Sequence, residues 1–342
     1  MLWLPPLALA STPTPVDLES GAGLEALAEV FGDAEVVGIG ESIHFSGGLE
    51  RARARVGLEA VQTLGFRAVA FELSWIEARS VDAGLLACAQ GAEVVVVPFD
   101  DPLWDGFRPL LQALCSFNAE HPSDPVRAFG VDVQDAWNHR RLLEGGGPPD
   151  EALRSCHGAP FACSRELSRW GQDMGYPAPE ARDQERCLAR LEELAQTSSG
   201  TTAMAVASLV ANETRARALF VDGDVAAAYE AREAAMAAVF HQERARVGEP
   251  RTVLFAHDTH VGRGPASYLP LGARLHPELA YAALSVDGYR VEARYEPNSD
   301  PPVPAAGSRE HAWAELPGPA VLVELEDGPH DAVLYLDHAS RD

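Results

Sequence analysis

The sequence predicts an α/β protein: a central, mainly parallel sheet flanked by helices, with a helical insertion and antiparallel edge strands. Three observations carry this. Short apolar runs such as Val36-Val37-Gly38-Ile39, Val69-Ala70-Phe71 and Val253-Leu254-Phe255-Ala256 are bounded by turn residues, the pattern of strands covered on both faces. Longer stretches of helical period separate them. Each run is also followed by ionisable groups: Glu41 and His44, then Glu72, then His257 and His260. Open α/β sheets bind ligands beyond the carboxyl ends of their strands. Charges placed there carry a desolvation cost that pairing or function must offset.

Taken in order, residues 18–31 have helical periodicity and lead into a strand over 35–39. Gly38 and Gly40 allow close backbone approach where that strand stops. Gly47-Gly48 separates the following loop from a helix over 49–64. On it Arg51, Arg53 and Arg55 alternate, so they cannot all face one way. A strand over 67–72, a helix over 75–89 and a Val-rich strand over 93–98 follow. Asp100 and Asp101 read as an N-cap opening a helix over 107–120. A strand over 126–133 brings Asp132 and Gln134 to its end, and the run Gly145-Gly146-Gly147-Pro148-Pro149 is a break. Residues 150–246 are helical and rich in Ala, Glu and Arg, and read as a lid or specificity wall over the sheet's carboxyl edge. The sheet resumes over 252–256. Residues 279–285 and 289–294 read as an edge hairpin through Asp287-Gly288. Residues 320–326 and 331–337 read as the last edge strands. The chain thus divides into an N-terminal part of the core (16–149), a helical insertion (150–246) and a C-terminal part of the core (247–342).

Composition narrows the function. With 342 residues, 46% of them hydrophobic, the chain can bury a full core. A net charge of -24 argues against nucleic acid and anionic membranes as partners and is compatible with a small-molecule or peptide substrate. There is no lysine, which removes Schiff-base and P-loop chemistry, and no Gly-x-Gly-x-x-Gly follows a strand. No cofactor is expected. Cys88, Cys115, Cys156, Cys163 and Cys187 lack Cys-x-x-Cys spacing and read as reduced, buried thiols of a cytoplasmic protein, with Cys156–Cys163 the one disulfide considered. Residues 1–10 are apolar but lack a basic n-region and are too short to span a membrane. The alternative to the cytoplasm is export, with this run as the remnant of a signal.

The residues at the strand ends also carry a resemblance. Gly40-Glu41-Ser42-Ile43-His44, Arg53, Phe71-Glu72 and Ala256-His257-Asp258-Thr259-His260-Val261 resemble the signature of the erythromycin esterase family. That signature has a Gly-Glu-x-x-His motif, an arginine on the next helix, a Phe-Glu strand end and an Ala-His-Asn-x-His-Val strand end. Weaker matches are Phe129-Gly130-Val131-Asp132-Val133-Gln134, Arg232-Glu233 with Met236, Gly307-Ser308 and the strand over 331–337. The resemblance implies a hydrolase acting on a carboxylic ester or lactone, in tailoring or inactivating a natural product such as an antibiotic. It also implies that Trp104, Asp132, Gln134, Asp258 and Arg232 line the substrate side. Asp258 stands where the family has Asn, Val239 replaces another Asn, and Asp105-Gly106-Phe107 follows Trp104 without the expected Thr. These departures bear on the substrate, a macrolide included, more than on the Glu/His centre.

A histidine beside a carboxylate is suited to take a proton from water near neutral pH. His44 is therefore the expected general base, with Glu41 or Glu72 orienting it. Arg53 and one of His257 and His260 would steady the developing oxyanion and leaving oxygen. Without a Gly-x-Ser-x-Gly elbow, Ser42 is a weak nucleophile candidate. The rival is a metal-dependent hydrolase using His44, His257, His260 and Glu41 or Glu72 as ligands. Against it, histidines on one extended segment point to opposite faces unless the strand has already ended.

Overall fold

The computed structural model describes residues 13–44, 46–93, 95, 107–145, 150–156, 181–264, 267–288, 320–325 and 329–336. Among the described residues there are eight strands: β1 (Thr14–Val16), β2 (Val36–Ile39), β3 (Ala68–Ser74), β4 (Arg127–Asp132), β5 (Thr252–Phe255), β6 (Tyr281–Gly288), β7 (Ala320–Glu324) and β8 (Ala332–Leu336). They form one sheet in the order β1-β7-β8-β6-β2-β5-β3-β4. The run from β8 to β4 is parallel, and β7 pairs antiparallel with both β8 and β1.

The helices are α1 (Leu27–Phe31), α2 (Gly47–Thr63), α3 (Trp75–Cys88), α4 (Arg108–Glu120), α5 (Ala136–Glu144), α6 (Glu151–Arg154), α7 (Ala181–Ala195), α8 (Gly200–Arg217), α9 (Val225–Arg246), α10 (Asp258–Val261) and α11 (Leu271–Leu275). Period-2 alternation sorts the strand residues between two layers. Val37, Ile39, Val69, Phe71, Val253 and Phe255 pack in the cluster that holds Leu49, Ala52 and Val56 of α2 and Leu110 and Leu114 of α4. Val36, Ala68, Ala70, Phe129, Val131 and Leu254 pack with Met236 and Phe240 of α9 and Leu271 and Leu275 of α11. The apolar runs are continuous because both faces are covered.

Several expectations are corrected. The helix at 18–31 is shorter: left-handed Gly21 and Gly23 delay it, and a 3-10 turn at Leu24–Ala26 leads into α1. The edge position expected for residues 279–285 is corrected: β6 is an interior strand with parallel partners on both sides, β2 and β8, and Asp287-Gly288 are its last two residues. The second arm expected over 289–294 lies outside the described residues. β7 and β8, the last two strands of the described chain, lie at this side of the sheet as expected, with the short β1 outside them. Two disulfides, Cys88–Cys115 and Cys156–Cys187, replace the reduced thiols and the Cys156–Cys163 pairing. The cysteines of each pair are 27 and 31 residues apart, and helix packing brings them together. The strand expected over 93–98 falls almost wholly outside the described residues. No helix among the described residues is long and apolar enough to cross a membrane.

Candidate active site

β2, β5 and β3 are adjacent in the sheet and parallel, so their carboxyl ends open on one edge. The chain leaving β2 stays tied to its neighbours: Gly40 N–H donates to Leu284, and Asp258 N–H donates to the Glu41 carbonyl. Within this corner the Glu41 carboxylate is 5% exposed. Its Oε1 accepts from His44 Nδ1 at 2.7 Å, and its Oε2 pairs with the Arg53 guanidinium. Arg53 projects from α2, is 2% exposed, and donates to the Ala256 carbonyl at 3.3 Å, with the Phe107 and Phe255 rings packed against it. Its place is behind Glu41, where it holds that carboxylate.

Burial pushes the Glu41 carboxyl up, but the Arg53 charge and the His44 hydrogen bond outweigh it and keep it below the usual range. Burial lowers His44, but the Glu41 hydrogen bond and the charge of Glu72 reverse the effect and raise it. With Nδ1–H donated to Glu41, the basic lone pair of His44 is on Nε2. The His44 side chain is 43% exposed, against 7% for Glu41. Of the two candidate orienting carboxylates, Glu41 is thus the one on the ring.

Glu72 serves the other side of the site. It lies where the β3–β4 ladder shifts register between Phe71 and Ser74, an irregularity of the kind that re-aims a side chain. Its Oε2 accepts from the His257 backbone N–H at 2.8 Å, and its Oε1 accepts from Arg232 at 2.8 Å and from His260 Nε2 at 3.1 Å. Burial opposes its ionisation, but His260 and Arg232 hold it well below the usual carboxylate range.

β5 ends at Phe255; His257 keeps extended backbone as the N-cap of the short helix α10, and His260 lies within that helix, so the two are not on one extended segment. The Nδ1 of His257 accepts from the Thr259 N–H at 3.2 Å, which puts the ring proton on Nε2. Its ring centroid lies 4.7 Å from that of His44. Burial, helped by the neighbouring His44, pushes His257 down to about 4, so it is neutral. His260 is the opposite case. Its Nδ1 donates to Glu233 at 2.5 Å and its Nε2 to Glu72, and these carboxylates overcome burial and Arg232 to lift it to about 9. It is an imidazolium clamp, not a base.

Of the residues expected on the substrate side, three bind one another. Asp132 takes two hydrogen bonds from Arg232, at 3.1 and 2.8 Å. With its amide oriented to satisfy both ends, Gln134 accepts from Arg232 Nε at 2.7 Å. Asp258 turns from the cleft towards Ser285, which donates to its Oδ2 at 2.6 Å. Val239 packs in an apolar cluster with Trp75, Val133 and Met204, where an amide would lack partners. Ser42 donates its hydroxyl to Asp287 at 2.7 Å. Trp104 lies outside the described residues. Sequence reasoning quoted Glu233 only as part of the Arg232-Glu233 motif match and gave it no role in the site; its second oxygen accepts from Leu271 N–H at 2.7 Å. A buried carboxylate in step with Met236 and Phe240 on one helix face was the available signal.

The donor set does not fit a shared metal ion. Both His260 nitrogens are committed to carboxylates, and His257 Nδ1 to Thr259. Among the described residues only Cys156, Cys187 and Glu213 bring three ligand atoms within 4.8 Å of one another, and two of these form a disulfide.

With this geometry in view, the comparisons decide the family. The model of the erythromycin esterase family matches residues 61–339. The chain belongs to the erythromycin esterase family. The match begins after Glu41, His44 and Arg53, so these three rest on geometry. Among solved structures, an erythromycin esterase (a mutant of EreC in its open conformation) is 19% identical with a TM-score of 0.71, over 97% of this chain and 99% of that one. A succinoglycan biosynthesis protein is 14% identical with a TM-score of 0.65, over 96% and 95%. A Bacillus cereus protein is 15% identical with a TM-score of 0.61, also over 96% and 95%. At these identities the likeness to each solved structure is one of fold, the erythromycin esterase fold. No curated protein matches.

Proposed function

We propose that the chain is a hydrolase in which His44 takes a proton from a water that attacks the carbonyl of an ester or lactone in a natural product or peptide. An amide would be the same chemistry on a stronger bond. The observation that carries this reading is the Arg53–Glu41–His44 relay, with its last ring exposed at the carboxyl edge of the sheet. Glu41 holds the Nδ1–H tautomer and stabilises the imidazolium once Nε2 has taken the proton. His257, neutral and carrying its proton on Nε2, is the donor suited to the oxyanion of the tetrahedral intermediate. Collapse breaks the carbonyl carbon–oxygen bond, and the proton passes from His44 to the leaving alkoxide, giving an acid and an alcohol. Residues 150–246 are tied to this edge through buried Arg232 and Glu233, and we assign that helical segment the wall that selects the substrate.

The test is hydrolysis of a panel of aryl esters and macrocyclic lactones by the purified chain, with and without exhaustive chelation. Turnover is expected to survive EDTA unchanged, because water activation needs only His44. Loss of turnover that stoichiometric zinc or manganese restores would move the chemistry to a metal.

A further inference from the structure

Asp258 is not used by the chemistry above, yet it sits directly beneath the corner that presents Glu41 and His44. Its backbone N–H donates to the Glu41 carbonyl at 3.0 Å. Its side chain lies so close under Gly40 that a Cβ there would meet Asp258 Oδ1 at 1.9 Å. Oδ2 is satisfied by Ser285, but Oδ1 is buried without a hydrogen bond. The nearest cationic candidate is His330 Nε2 at 3.8 Å, also buried without a hydrogen bond.

The groups facing Asp258 do not favour a second negative charge. Asp287 approaches from β6 and Glu41 from the corner, with Arg53 of α2 opposing them. On its own element His257 is neutral, and burial pushes His330 down to about 4, leaving it neutral too. Burial, with Asp287 and Glu41, lifts Asp258 to about 7. A carboxylic acid there has the size and neutrality of the asparagine that the family pattern places at this position. A carboxylate would leave a charged oxygen without a donor against Gly40.

We propose that Asp258 is a positioning residue that supports the Glu41–His44 pair in its protonated form, and that its ionisation displaces the Gly40–Glu41 corner resting on it. This deepens the hydrolase reading and rests on it, because it matters to turnover only if His44 is the base. The corner is therefore competent on the acid side of Asp258's titration and loses alignment on the alkaline side.

The test follows the His44 imidazole by NMR in the histidine-labelled full chain from pH 5 to 9, assigned by its loss in His44→Ala. In the wild type the His44 signal is expected to follow two steps, its own titration and that of Asp258. In Asp258→Asn it should follow one. Ser285→Ala, which removes the hydrogen bond favouring the carboxylate, should move the second step to higher pH, and serves if Asp258→Asn does not fold. A single step in the wild type, or two unchanged steps in Asp258→Asn or in Ser285→Ala, overturns the proposal. Two steps with the expected responses, but no hydrolysis of any ester or lactone, would sink the hydrolase reading while this coupling stands.

Discussion

Replacing His44 by alanine is expected to lower the single-turnover rate of hydrolysis by about a thousandfold, the usual worth of a positioned general base. The fold should not notice. The His44 side chain is 43% exposed, and its partner Glu41 keeps the Arg53 guanidinium when the ring is gone. Substitutions at such positions leave stability within about 0.5 kcal/mol. The measurement is a pair: single-turnover kinetics on the most reactive ester of the panel, and a thermal melt of the same preparation. A normal melt with wild-type turnover would remove His44 from the chemistry. A collapsed melt would mean that His44 is structural.

The largest effect on stability is expected at Arg232. Its guanidinium is 7% exposed and is shared by Asp132, Glu72 and Gln134. Burial disfavours its charge, but Asp132 and Glu72 more than compensate and hold it fully protonated. Arg232→Met keeps much of the volume and leaves the buried Asp132 and Glu72 carboxylates without the cation they share. Removing one partner of a buried ionic network costs about 3–5 kcal/mol. Urea denaturation monitored by tryptophan fluorescence reads this as a lower midpoint with an unchanged slope. Arg154→Met is the control, since the Arg154–Glu151 pair is 48% and 79% exposed and should matter by less than about 1 kcal/mol. Equal midpoints for the two variants would contradict the assignment of Arg232 as the buried tie.

Much of this site is legible in the sequence because strand ends announce themselves. Buried strands read as apolar runs, and an ionisable residue just beyond one has few reasons to be there. Glu41, His44, Glu72, His257 and His260 were found this way, and the sheet order brings them together. Arg53 was placed by resemblance among three alternating arginines, and its near-complete burial sets it apart from exposed Arg51 and half-buried Arg55.

What the sequence does not carry is pairing between distant elements. The choice between Glu41 and Glu72 depends on a 2.7 Å contact that only the corner after β2 creates. Asp132, Gln134 and Arg232 were expected to face a substrate because they are polar and sit near the edge. They are instead one another's ligands, across about a hundred residues of chain. The edge position expected for residues 279–285 failed for a similar reason, since β8 pairs alongside that strand in register. The disulfides join residues on or just beyond helices whose contacts no spacing predicts.

Glu41→Gln addresses the relay itself. The substitution keeps the shape of the side chain and removes the carboxylate whose hydrogen bond, with the charges of Glu72 and of Glu41 itself, raises His44 above its ordinary value. On the acid side, turnover by the wild type should rise with pH as His44 loses its proton, with the inflection above the ordinary histidine value, before ionisation of Asp258 lowers it on the alkaline side. In Glu41→Gln the acid-side inflection should move to lower pH, and the maximal rate should fall because the imidazolium is less stabilised. An acid-side inflection that stays where it is in Glu41→Gln would mean that the group losing the proton is not the histidine held by Glu41.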